Sequence, residues 1–199
     1  MVGTMAAGLR VLLALRVQGV ADTPLVALRA ELSEDETKNV LDSLVENGEA
    51  QYKERENGSH WRVTPEGNSM MLALLAEELD TAGTRSALTE TYERFLAADF
   101  DFKKLCLDWQ TFPDDDPTKR KLNDHSDHDY DRAVVAQLSL FDDSMQLVYA
   151  DFAAQLERLA GFGPRFAHAC DRVEAGDNDW FAGALVDSYH MVWMEMHFN

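Results

Sequence analysis

The sequence predicts a mainly helical protein of 199 residues with one small β-hairpin in its N-terminal third. Three observations carry this. Apolar residues recur at helical spacing through most of the chain, as in Val134, Leu138, Phe141, Met145, Val148, Phe152, Leu156 and Leu159. Helix start and stop signals punctuate it: Ser33 with Glu36, Thr64-Pro65, Gly19 and Gly48. Extended runs with hairpin chemistry occur only around residues 50–63, where Asn57-Gly58 separates Tyr52 from Trp61 and Val63.

The first helix is carried by Leu9, Val11, Leu12, Leu13, Leu15 and Val17 and should stop near Gly19. Asp22 or Thr23 can cap a second helix, with Pro24 in its first turn and Leu25, Val26, Leu28 and Leu32 along it. Ser33 and Glu36 have the spacing of a capping box, in which the hydroxyl and the carboxylate each satisfy a free backbone N–H of the other end. A third helix then runs to about Asn47, with Val40, Leu41, Leu44 and Val45 as its apolar set. Strands follow at 50–53 and 60–63, and Thr64-Pro65 opens a fourth helix through Met70, Met71, Leu74, Leu75 and Leu79. Three helices, a hairpin and a helix are the order of parts in a winged helix-turn-helix, so a winged-helix domain is expected over 1–80.

Residues 81–199 read as an all-helical bundle for dimerisation or effector sensing. Helices are expected at 84–98, 100–109, 130–159, 165–175 and 179–197, with an acidic loop at 113–129. The stripe from Val134 to Leu159 either packs inside this bundle or pairs with its copy in a homodimer. Trp180, Phe181, Tyr189, Trp193 and Phe198 form either core or the lining of an apolar pocket.

The segments "LSEDETKNVLDSLVENGEAQY" and "WRVTPEGNSMM" resemble the third helix, first strand and wing return of MarR-type regulators, over roughly residues 8–80. The resemblance implies a transcriptional regulator binding a palindromic DNA site. In such a fold the solvent-facing start of the third helix reaches base edges, which designates Lys38 and Asn39, while the wing offers Lys53, Arg55, His60 and Arg62. The charge runs against this. The chain has 18 Lys+Arg and 36 Asp+Glu, and the expected third helix carries Glu34, Asp35, Glu36, Asp42 and Glu46 against Lys38 alone. Phosphate binding needs the opposite sign. The alternative is a winged helix that recognises protein and does not bind DNA.

"HACDRVEAGDNDWFAGALVDSYH" is similar to the metal-binding helical domain of FadR-type GntR regulators. This resemblance implies a divalent metal on Asp127, Asp131, His168 and His190 beside a small acid ligand, with Asp131 standing where that family has His. His190 and His197 would share a helix face with Asp187. "LNDHSDHDYDRAVVAQL" and "DSYHMVWMEMH" resemble regions accompanying phosphoenolpyruvate-utilising enzymes, which implies a metabolic-enzyme partner. Asp127-x-Asp129-x-Asp131 is no EF-hand loop, because Arg132 and Leu138 occupy the Gly and Glu positions. No GxSxG, P-loop, HExxH or GxGxxG is present, so no enzyme is expected. Cys106 and Cys170 are expected to be reduced, and the arginines within the first apolar stretch argue for a cytoplasmic protein without a membrane span.

Overall fold

A computed structural model describes residues 2–55 and 58–199 of the chain. It is mainly helical, with one two-stranded antiparallel sheet among the described residues. The chain divides into two compact units, one of Met1–Gly83 with Phe198–Asn199 and one of Thr84–His197.

The first unit is built around α1 (Val2–Gln18), whose Leu9, Val11, Leu12, Leu13 and Leu15 are all buried. A helix so apolar around its girth must be covered on several sides, and α2 (Thr23–Ala30), α3 (Glu34–Glu46), α4 (Pro65–Ala82) and strand β2 (Gly58–Val63) all pack on it. Each boundary has a local cause. Asp22 Oδ1 accepts the Leu25 N–H at 3.0 Å and starts α2. The Ser33–Glu36 capping box forms in full and starts α3. Gly48, at φ +78°, adopts a left-handed conformation that turns the chain into β1 (Ala50–Arg55).

The hairpin pairs Ala50 with Val63, Tyr52 with Trp61 and Lys53 with His60. Gly58 lies within β2 opposite Arg55, and the connection expected to contain Asn57-Gly58 runs through residues 56–57, which lie outside the described residues. Trp61 anchors the hairpin. Its backbone bridges Ala21 in both directions, its indole N–H donates to Thr23 Oγ1 at 3.0 Å, and its ring packs 4.6 Å from Tyr52. Thr64 caps α4 and also donates to the Gly48 carbonyl at 2.7 Å. Gly67 follows at a close approach, where any Cβ would collide with the Glu49 carbonyl.

In the second unit α5 (Arg85–Gln110) is one 26-residue helix, not the two pieces expected at 84–98 and 100–109. Nothing at the expected break caps a helix. Asp99 instead bonds Lys103 one turn on and accepts the Trp193 indole N–H at 3.2 Å. α6 (His128–Gln155) starts two residues ahead of expectation because Asp127 accepts the N–H groups of Asp129 and Tyr130. A 3-10 turn, Glu157–Leu159, separates it from α7 (Phe162–Glu174).

The helix expected at 179–197 is broken into α8 (Asp179–Ala182) and α9 (Tyr189–Phe198). Gly183 leaves helical geometry at ψ 138°, in a position where a Cβ would stand 2.5 Å from the Asp179 carbonyl oxygen. The chain re-enters a helix when Ser188 Oγ accepts the Met191 N–H.

The core of this unit is aromatic. Trp193 lies 4.2 Å from Phe95 and 4.5 Å from Phe102, Tyr149 stacks on Phe166, and Trp109 stacks on Phe181. The stripe on α6 belongs to this core, with Val134, Leu138, Met145, Val148 and Phe152 all buried. The stripe thus packs within this unit, the first of the two arrangements expected for it. Phe181, Tyr189 and Trp193 are core residues, not a pocket lining. No helix among the described residues is long and apolar enough to cross a membrane.

Candidate interaction surfaces and polar clusters

The solvent side of α3 begins with Glu34, Asp35 and Glu36, all exposed. Their position suits the helix dipole, and the hydrogen bonds from Ser33 hold the Glu36 carboxyl below its usual range. Lys38 is the only cation on the helix. Its ammonium sits 2.5 and 2.6 Å from the two oxygens of Asp42 and 5.4 Å above the Trp61 ring. Asn39 is exposed on the same helix. On the hairpin, Lys53 is exposed opposite His60, and the Arg62 guanidinium is held by Gln51 Oε1 across the strands at 2.7 and 3.0 Å. The side chain of Arg55 lies outside the described residues. Of the expected phosphate contacts, Lys38 and Arg62 are thus already engaged within the protein.

The acidic segment 113–129 folds back on its own backbone. Asp114 accepts the Asp116 N–H, Asp116 that of Thr118, Asn123 that of His125, Asp124 that of Ser126 and Asp127 that of Asp129. These are successive Asx turns. The pattern of Asx two residues before an ordinary N–H is visible in PDDDPTKRKLNDHSDHD, and it is the signal by which this loop could have been read. Beneath the loop, Asp108 bonds Lys104 and Arg120 at 2.6 Å, and the Tyr130 hydroxyl donates to the Asp108 carbonyl. Burial alone would raise the Asp108 pKa; the two cations outweigh it and hold the carboxyl down.

The four residues expected to bind a metal do not meet. Asp127 is spent on capping α6. Asp131 is buried, accepting from Asn123 Nδ2 at 2.7 Å and facing His125 Nδ1 at 3.1 Å. His125 has a left-handed backbone, φ 59°, and lays its ring 4.5 Å from Trp109. His168 is exposed and meets Trp180 edge-on. His190 lies over Phe102, where burial pushes its pKa down. Among the described residues no three His, Cys, Asp or Glu side chains are grouped so that they could hold a metal ion. The shared face of Asp187, His190 and His197 also fails to form. Asp187 precedes α9 and makes a two-pronged pair with Arg165, while His197 Nε2 faces Asp99.

Two buried networks have no counterpart in the sequence reading. Arg165 joins Asp187 to the buried Glu195, tying α7 to α9. Tyr149, Tyr189, Asp142 and Gln146 form a hydrogen-bonded chain in which Tyr189 donates to Asp142 at 2.9 Å and the two hydroxyls lie 3.0 Å apart. Burial raises the Asp142 pKa despite these bonds. Both networks lock helices together.

No protein-family model matches the chain, and neither the curated proteins nor the solved structures contain a significant match.

Proposed function

We propose that this protein is a non-enzymatic interaction module. In this reading a winged helix over residues 8–80 recognises protein and not DNA, and residues 84–197 form a helical docking unit. The observation that carries it is the state of α3: its one lysine is neutralised by Asp42, and the positions that would approach phosphates present Glu34, Asp35 and Glu36. A duplex would meet net negative charge where affinity depends on cations. The resemblance of residues 122–138 to regions accompanying phosphoenolpyruvate-utilising enzymes points to a metabolic enzyme as the partner.

A second reading, a MarR-like DNA-binding regulator, is favoured by the hairpin, which sets exposed Lys53 opposite His60. Titration of labelled generic duplex DNA at low ionic strength separates the two. The interaction-module reading expects no salt-dependent binding. Binding that weakens steadily as salt is added would overturn it, because non-specific electrostatic affinity appears first for any DNA reader.

A further inference from the structure

α6 is apolar on the face opposite its buried stripe. Ala133, Leu140, Leu147 and Ala154 follow one another at seven-residue steps, with Ala136 and Ala150 between them, and all six are exposed. Leu140 is 69% and Leu147 75% exposed. A helix packed on one side ordinarily turns charged residues to solvent. Here the outward face has the a/d spacing of a helix-pairing seam, although the helix is already fully employed on its inner side. Beside the upper half of the seam runs a groove of about 590 Å³ between α6 and α7, floored by Val135, Ala136, Leu140 and Val173 and edged by Glu174.

Two d positions of α6 are acidic: Asp129, in the first turn and paired with Arg132, and Asp143, midway between Ala136 and Ala150. Asp143 is exposed and has no hydrogen bond or ion pair among the described residues. Its position decides the occupant. A second copy paired about the middle of the seam, parallel or antiparallel, would bring Asp143 beside its own equivalent, and like charges at a seam position oppose association. An anionic bilayer surface would meet Asp129, Asp143 and the acidic charge of the whole chain, −18. A helix carrying apolar residues at its own a and d positions and one Lys or Arg at the centre satisfies both the leucines and the carboxylate. The acidic field of the chain would also speed its approach.

We infer that the outward face of α6, centred on Leu140, Asp143 and Leu147, docks an amphipathic helix of a partner protein that bears a basic residue opposite Asp143. The inference rests on the interaction-module reading above and names the surface and the partner chemistry.

The probe is a fluorescein-labelled synthetic helix of about four heptads, matching the length of α6, with Leu at a, Ala at d and a single central Lys. A second peptide has Glu in place of that Lys. Anisotropy titrations with the intact protein should show the Lys peptide binding at least about tenfold more tightly than the Glu peptide. Asp143→Lys should reverse the order, and Leu140→Ser with Leu147→Ser should abolish binding of both. These side chains are exposed, so an unchanged far-UV spectrum and melting curve certify that the variants are folded.

Equal binding of the two peptides, or binding of neither, would overturn the inference. Sedimentation of the protein alone as a dimer that the double Ser variant dissociates would overturn it in favour of a second copy. Duplex DNA titrated into the same sample keeps the two claims apart. DNA binding refutes the interaction-module reading whatever the peptides do; failure of both DNA and peptides refutes the α6 surface alone.

Discussion

The hydrogen bond between Trp61 and Thr23 holds the hairpin against the start of α2 across 38 residues of sequence, and its strength can be measured. Thr23→Val keeps the shape and removes the acceptor. Trp61 remains 3% exposed, so its indole N–H is left without a partner, at a cost of about 1–3 kcal/mol. Trp61→Phe removes the donor and leaves the half-buried Thr23 hydroxyl able to find water. It loses the bond, worth about 1 kcal/mol, and leaves a small cavity that adds about 1 kcal/mol more. The double variant leaves no orphaned indole, so it should cost about 1 kcal/mol less than the sum of the two single changes.

Urea unfolding of all four proteins by far-UV circular dichroism supplies the cycle. Trp61 belongs to the first unit and Trp109, Trp180 and Trp193 to the second, so the transition that Thr23→Val shifts is that of the first unit. In a unit of this size about 1 kcal/mol moves the midpoint of melting by roughly 4–8 °C. A coupling energy within about 0.3 kcal/mol of zero would refute the reasoning and assign the anchoring of the hairpin to the Ala21 backbone bridge.

Four other outcomes are expected. Ser33→Ala should destabilise by about 1 kcal/mol through loss of the α3 cap, measured by chemical unfolding; no change would remove the capping box from the account. Gly67→Ala should cost about 1–3 kcal/mol or prevent folding, because the added methyl meets the Glu49 carbonyl and stands 2.8 Å from Val63 Cγ2. A melting point equal to the parent's would show that the close approach relaxes freely. Asp142 has a folded pKa raised by burial above its ordinary 3.8, so the folded state binds the proton more tightly than the unfolded chain. Stability should therefore fall as pH rises from that value through the folded pKa and then level off. Asp142→Asn should flatten this fall, and identical pH profiles for the two proteins would contradict it. Burial pushes the Cys106 and Cys170 thiols up to about 12, so an aromatic disulfide reagent near neutral pH should label neither until denaturant is added; rapid labelling of the folded protein would refute that.

The features legible in the sequence are those whose causes are local. Ser33 with Glu36, Asp22 before Pro24, and Thr64-Pro65 act within one turn of backbone, and the boundaries they imply appear where expected. The acidic loop was legible as a loop. Its purpose was not, because a row of Asp looks like solvated charge until each is seen accepting a nearby N–H. The continuity of α5 and the break after α8 were hidden for a different reason. Asp99 is drawn into the helix by Trp193, and Gly183 leaves it at a close approach to Asp179; periodicity carries neither fact. The metal set failed on long-range placement. The resemblance to the FadR-type domain implies Asp131 and His190 as ligands, but Asp131 is used by Asn123 and His125 and His190 is packed on Phe102.

The aromatic core of the second unit also dictates an order of events at the ribosome. Phe95 and Phe102 on α5 close against Tyr189 and Trp193 on α9, and the Trp193–Asp99 hydrogen bond joins residues 94 positions apart. A nascent chain paused before residue 189 has α5, α6 and α7 available and nothing to fill the space between them. The helices and hairpin before Gly83 need no such wait. They can consolidate while the remainder is still being translated, which leaves the half-made second unit, with Phe95 and Phe102 covered by Phe152 and Phe141 of α6 but open on the α9 side, as the species most in need of a chaperone.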